Sequence, residues 1–334
     1  MDVESEMHRE PRVLVLGGSG FVGRHLCEHL VRLAWQVTVP TRRWAHALPL
    51  QIFPSLTVIE ADVHDEDRLA ELMTGQDAVV NLVAILHGSE AQFEAAHVAL
   101  PQRIARAMQR AGVRRLVHIS ALGADLQGPS RYQRSKARGE AALRAADLDL
   151  TVLRPSVIFG AEDRFLNLFA KLQDTFPIMP LAGSGARFQP VWVGDVAEAI
   201  VRCLQEPHSV GQTLEVCGPE VFTLRELVQA AGQWAGIRHG RGRPVIALPH
   251  WVGWLQAATL ECLPGQTLMS RDNLASMQVD NVCSGRLPGL QALGITPAAL
   301  SAVAPTYLGH KGPHTPLDQL RAQHPHDTAE KNRS

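Results

Sequence analysis

Tyr132 and Lys136 stand four residues apart in SRYQRSKARGE, which puts them on one face of any helix formed there. A lysine ammonium beside a phenol stabilises the phenolate, so such a pair can give or take a proton while a hydride moves. The spacing alone is common. Its position adds weight: RRLVHISA, just upstream, reads as a strand ending at Ser120, whose hydroxyl is placed to assist the pair.

A second group of residues lies near the amino terminus. GGSGFVG spans Gly17, Gly18, Ser19, Gly20, Phe21, Val22 and Gly23, between the apolar run RVLVL and a helical pattern from Phe21 to Leu33. Gly17 suits a tight strand-to-helix turn, Gly20 lets a pyrophosphate approach the backbone, and Gly23 lets the helix pack on the sheet. The phosphates would then meet the positive end of the helix, so these residues point to a dinucleotide. At the end of the next strand, where an acidic residue would hold the ribose diol of NAD(H), stand Thr41, Arg42 and Arg43. Two guanidinium groups suit a 2′-phosphate, so NADP(H) is the expected cofactor and NAD(H) the alternative; a solvated loop is the plain reading of both arginines. Asp62 with Val63, and Leu82, Val83 and Ala84 after Asn81, fall where adenine and its ribose would cross the carboxyl edge of the sheet.

These groups need a scaffold, and the apolar pattern supplies one. Short β-branched runs alternate with amphipathic stretches: strands near 56, 77, 114 and 149, and helices from about 65, from 91 to 111 and from 131 to 146. Continuous apolar strands separated by helices predict an α/β fold, a Rossmann-type doubly wound parallel sheet. After Gly160 the alternation breaks, which predicts a smaller C-terminal lobe. The expected division is a flexible N-terminus over 1–10, a dinucleotide-binding domain over 11–160 plus 187–218, a substrate or partner lobe over 161–186 plus 219–308, and a disordered tail over 309–334. The tail's four histidines match no ligand spacing, so no metal site is expected.

At 334 residues, with 46% hydrophobic and 19% charged, the chain can bury a sizeable core, and disorder of its bulk is excluded. A net charge of -1 provides no field to hold a nucleic acid. Cys27, Cys203, Cys217, Cys262 and Cys283 are scattered, odd in number and without a C-x-x-C pair, so they read as unpaired core thiols of a reduced compartment. MDVESEMHRE lacks an apolar stretch; a cytoplasmic location is expected, with a peripheral position at the inner face of the membrane as a variant. The segment 245–263, with Trp251 and Trp254, is too interrupted to span a bilayer. It reads as a lobe helix packed on the sheet domain, or else as a surface meeting a membrane interface or a hydrophobic partner.

With GGSGFVG, the Tyr132/Lys136 pair, LRPSVIFG and PVWVGDVAEAI, the chain resembles the extended or atypical short-chain dehydrogenase/reductase superfamily, of epimerase/dehydratase type, over about residues 11 to 220. SRYQRSKARGE, RPSVIFGAEDRFLN and RLPGLQALGI extend the similarity to nearly 308, towards the family of the NADPH-binding accessory subunit of respiratory complex I and its bacterial relatives. The resemblance implies a tightly held NADP(H), partners in the respiratory chain or quinone biosynthesis, and binding without turnover; it adds Pro155, Ser156 and Val157 to the cofactor site. One departure matters. Where active members carry a Ser or Thr that holds the substrate carbonyl, this chain has Leu122, with Ser120 slightly early. The competing reading is an NADPH-dependent reductase of a small hydrophobic carbonyl or quinone-related substrate, with Tyr132 as proton donor, Lys136 lowering its pKa and Ser120 assisting. A sugar-nucleotide epimerase is a weaker third. His97 is expected to be a structural histidine, with a place facing the nicotinamide as the alternative; Asp163 and Arg164 are expected either to line the cleft or to form an ion pair or helix cap, and Asp195 to cap the helix it opens.

Overall fold

The computed structural model describes residues 10–261 and 269–309. The expected flexible N-terminus, apart from Glu10, the tail beyond Gly309 and Cys262 lie outside the described residues. In chain order the first half runs β1 (Arg12–Leu16), α1 (Phe21–Arg32), β2 (Gln36–Thr41), β3 (Leu56–Glu60), α2 (Glu66–Met73), β4 (Ala78–Asn81), α3 (Glu90–Glu94), α4 (Leu100–Ala111), β5 (Arg115–Ile119), α5 (Arg131–Arg144) and β6 (Asp149–Pro155). Then follow β7 (Ile158–Phe159), α6 (Leu166–Thr175), β8 (Met179–Leu181), β9 (Arg187–Phe188), β10 (Val191–Trp192), α7 (Val193–Gln205), β11 (Thr213–Val216), β12 (Phe222–Thr223), α8 (Leu224–Trp234), β13 (Val245–Ala247), α9 (His250–Glu261), α10 (Arg271–Ser276) and α11 (Leu300–Leu308).

Seven strands form a parallel sheet in the order β11-β6-β5-β4-β1-β2-β3. Because successive strand residues face opposite sides, Val13 and Val15 of β1 enter the core under α1 and α7, with Leu26, Leu30, Val196 and Ile200. Leu14 and Leu16 enter the other core, with Leu69 and Met73 of α2, Ile104 and Met108 of α4 and Leu143 of α5. Both faces are dry, which is why the strands read as unbroken apolar runs. Each buried leucine contributes about 2 kcal/mol, so Leu14→Ala would remove a sizeable part of a domain's net stability. The chain leaves β1 in one direction to β2 and β3 and returns on the other side to β4. The sheet therefore splits between the carboxyl ends of β1 and β4, the place where doubly wound sheets take ligands.

The remaining elements build a second cluster. Phe159, Leu166, Leu227, Leu300 and Ala304 join α6, α8 and α11, and Met179, Leu181, Val228 and Val245 pack the β8/β13 ribbon on them.

Four expectations change. Cys217 and Cys283 form a disulfide, since the two segments that carry them lie side by side; Cys27 and Cys203 are buried free thiols. Asp195 is not a cap: α7 begins at Val193 with Trp192 as N-cap, and the Asp195 carboxylate accepts Ala298 N–H at 2.8 Å, tying the 298 segment to the helix. The helix expected over 91–111 is interrupted by a π turn at Ala95–Ala99, which accommodates α5 where Gly139 lies against the His97 carbonyl. Trp251 and Trp254 are not packed on the sheet domain; α9 turns Gly253 and Ala257 inward, and both indoles are exposed.

Candidate functional site

The glycine turn leaves β1 at the split in the sheet. Gly17 has φ +85°, a conformation open to glycine, and a Cβ there would crowd the backbone of Leu82 and Val83 at 3.2–3.3 Å. At Gly18 a Cβ would come 2.7 Å from Val39, and at Gly23 it would run into Gly17 and Gly18. Around Gly20, among the described residues, the only near atom is the Gly17 carbonyl at 3.2 Å, so that side of the turn is open. The N-termini of α2, α5 and α8 are capped by Asp65, Ser130 and Thr223, whereas the N-cap of α1 is Gly20, with no side-chain hydrogen bond and no acid in the first turn. Free amide donors at such an end fit an anion such as a pyrophosphate. Arg24, which carries no motif signal of its own, donates to the Ser19 carbonyl at 3.3 Å beside the turn, with its guanidinium paired to Glu162.

The other proposed cofactor residues surround this end of the sheet. Thr41 is buried and bonds the Arg43 carbonyl at 3.1 Å; Arg42 and Arg43 are exposed, and among the described residues neither guanidinium has a hydrogen bond or ion pair. Asp62 closes a turn by accepting His64 N–H at 3.0 Å, with Val63 buried beside it. Leu82 and Val83 are half-buried, Ala84 exposed. Their strand end is fixed by Asn81, whose Oδ1 accepts Val83 N–H at 3.1 Å while Nδ2 donates to His118 Nδ1 at 3.1 Å.

Tyr132 and Lys136 share the inner face of α5. Lys136 is 2% exposed and donates to the Ile119 carbonyl at 2.8 Å; burial pulls it down to about 8, partly opposed by Glu140. Burial pushes Tyr132 up to about 12, so its phenol is protonated at neutral pH. The expected lowering of Tyr132 by Lys136 is not among the causes: the ammonium is engaged with Ile119 and is itself disfavoured by burial. Ser120 is 3% exposed, and among the described residues its Oγ has no hydrogen-bond partner; Leu122 is buried close by in the chain. Such an orphan hydroxyl is a group waiting for a polar ligand atom.

His97 is structural, as expected. Its Nε2 accepts Ile85 N–H at 3.1 Å, which puts the proton on Nδ1, 2.9 Å from Ser135 Oγ; that hydroxyl donates to the Tyr132 carbonyl at 2.9 Å. Burial, then Lys136, drives His97 down to about 3. The Tyr132 ring stands edge-on to His97 and Phe93 at 5.5 and 6.2 Å. Asp163 caps α6, accepting the amides of Phe165 and Leu166 at 2.8 and 2.7 Å and the Tyr307 hydroxyl at 2.8 Å; Arg164 is exposed.

Two residues from the far end of the chain complete the site. Asp272 of α10 accepts the first amides of α5, Arg131 N–H at 2.7 Å and Tyr132 N–H at 3.1 Å. Asn281 Oδ1 accepts the Ser156 hydroxyl at 2.6 Å and Val157 N–H at 3.1 Å, directly after Pro155. No local pattern marks either residue, because each acts across more than a hundred positions. Asp272, Arg131, Phe93, His87, Ser89 and Glu261 line a cavity of about 240 Å³ at the N-terminus of α5.

Comparison with known proteins agrees with this geometry. Residues 17–207 match a family model described as NAD(P)H-binding. The chain belongs to that family. It is 34% identical over 303 residues to NADH dehydrogenase (ubiquinone) 1 alpha subcomplex subunit 9, mitochondrial, of Mus musculus, covering 86% of this chain and 76% of the relative. With ceramide reductase of Caulobacter vibrioides it shares 27% identity over 228 residues, covering 68% and 71%. The dTDP-glucose 4,6-dehydratase DesIV of Streptomyces venezuelae, solved with NAD and TYD bound, superposes with a TM-score of 0.63 at 25% identity, covering 71% of this chain and 85% of the other. The chain is thus an NAD(P)-binding, epimerase/dehydratase-like member of the short-chain dehydrogenase/reductase fold, related to complex I subunits.

Proposed function

We propose that the protein holds NADP(H) as a resident cofactor and docks, cofactor-bound, on respiratory-chain or quinone-biosynthesis proteins without turning the cofactor over. The observation that carries the binding half is the N-terminus of α1, uncapped, unacidic and opening on Gly20. Arg42 and Arg43, exposed at the end of β2, favour the 2′-phosphate of NADP(H). Leu122 at the carbonyl-holding place and a phenol lifted to about 12 favour retention over chemistry. Relatedness to a complex I subunit supports the partner class, with residues 161–186 plus 219–308 as the partner lobe. A ligand held only by the folded state adds stability by mass action, which gives a non-turning cofactor a purpose.

The orphan Ser120 hydroxyl and the buried Lys136 favour a second reading, an NADPH-dependent reductase of a small hydrophobic carbonyl or quinone. Similarity to ceramide reductase is in keeping with it. In that case Tyr132 supplies the proton, and Tyr132→Phe lowers the rate about 10² to 10⁴-fold while cofactor binding persists. Purification followed by chromatographic identification of the co-eluting nucleotide tests the first reading: NADP(H) is expected, and a nucleotide-free protein that NADPH does not stabilise against heat would contradict it.

A further inference from the structure

α9 is turned inside out. Its small residues face the protein: Gly253 sits where a Cβ would come 2.5 Å from Ala182, and Ala257 is fully buried. Three of its large residues face outward. Trp251, Trp254 and Leu255, at i, i+3 and i+4, form one stripe, 71%, 48% and 55% exposed. An apolar helix face of this kind is costly in water unless something covers it.

The neighbouring ribbon continues the surface. Met179, Leu181 and Val245 of β8 and β13 point inward, while Ile178, Pro180 and Ile246 are exposed. At the other end of the ribbon, a three-residue strand or roughly 10 Å away, the loop GIRHGRGRP presents Arg238, His239 and Arg241 to solvent. Arg238 and His239 hold left-handed backbone, φ 51° and 57°, and Arg243 anchors the loop by donating to the Gln173 carbonyl at 3.0 Å. Next to the stripe, the Arg271 guanidinium lies 5.3 Å over the Trp254 ring and is paired with Glu261 at 2.8 Å, so among the described residues the unpaired cations on this edge are those of the loop. Tryptophan, aliphatic and arginine side chains on one edge make the composition that the headgroup region of a bilayer selects. Among the described residues no helix is long and apolar enough to cross a membrane, so the edge would lie on the surface.

We propose that this edge docks on an anionic membrane surface, with Trp251, Trp254 and Leu255 of α9 among the headgroups and Arg238 and Arg241 on lipid phosphates. The proposal stands apart from the cofactor reading. The overall charge of -1 supplies no long-range attraction, so the arginines of this loop act locally.

Flotation of the whole protein with phosphatidylcholine vesicles, with and without phosphatidylglycerol, tests it. The protein should float with the anionic vesicles and leave them at high salt. Trp251→Ser with Trp254→Ser should abolish flotation while circular dichroism and nucleotide binding stay unchanged. Arg238→Ala with Arg241→Ala should weaken partitioning about 25-fold, about five-fold per arginine. Absence of flotation with anionic vesicles would overturn the proposal, as would undiminished binding by the arginine variant. Sedimentation showing a dimer that the tryptophan variant dissociates, with no vesicle binding, would assign the face to a second copy and equally overturn it.

Discussion

Lys136 and His97 are held uncharged-leaning by the same burial that fixes their positions, and this has consequences for pH. His97 sits near 3 in the folded protein against 6.5 when exposed, so between those values the unfolded chain binds a proton that the folded one refuses. Its contribution is present above 6.5 and is lost on acidification towards 3, at about 1.4 kcal/mol per pH unit. Buried His118, also driven well down, adds loss of the same sign. Urea midpoints should therefore fall between pH 6.5 and 5, less steeply in His97→Gln; equal slopes in the two proteins would sink this account. Arg42 and Arg43 carry the other residue-level prediction. Replacing both with Ala should cost one to two decades of NADPH affinity, since a charged hydrogen bond is worth about 1.5 to 3 kcal/mol, and should leave NADH unchanged. Equal affinity of the unmodified protein for the two cofactors would count against it. Gly17 and the Tyr132/Lys136 pair were legible because their neighbours in sequence are their neighbours in space. Asp272, Asn281 and the Lys136–Ile119 bond were not, since only the closed fold brings them together.

Secondary elements were more legible than their ends. The six strands and helices up to Pro155 follow from periodicity, because a sheet buried on both faces demands continuous apolar runs. The π turn before α4 was hidden, as its cause is the backbone of α5 packing on His97, a contact outside its own sequence. α9 misled for a related reason: tryptophans normally signal a core, and here Gly253 and Ala257 take the inner face. The disulfide was invisible to spacing rules because its partners are 66 residues apart. It joins the end of β11 to the segment holding Asn281, and a loop of that length restricts the unfolded chain by about 4 kcal/mol at most. Reduction, or Cys217→Ser with Cys283→Ser, should lower unfolding stability by about 2 to 4 kcal/mol, read from the urea midpoint. An unchanged midpoint under reductant would mean that the bond contributes nothing to the folded state's advantage.

At the scale of the molecule, the sheet order puts the glycine turn, the β4 end and, beyond β5, the first turn of α5 on the carboxyl side of one sheet, and α10 and the 281 segment meet that side through Asp272 and Asn281. A dinucleotide there would bind a sheet that is already built, with α10 braced through Asp272 against the helix that carries Tyr132. The same arrangement serves a reductase or a scaffold, and topology does not distinguish them. What distinguishes them is the fate of the bound hydride. The most direct test follows the fluorescence of reduced nicotinamide in the NADPH-loaded protein during addition of quinones and of small hydrophobic aldehydes. Cofactor retention predicts a signal that decays no faster than that of the loaded protein alone; catalytic loss of the signal over many turnovers, abolished in Tyr132→Phe, would contradict it.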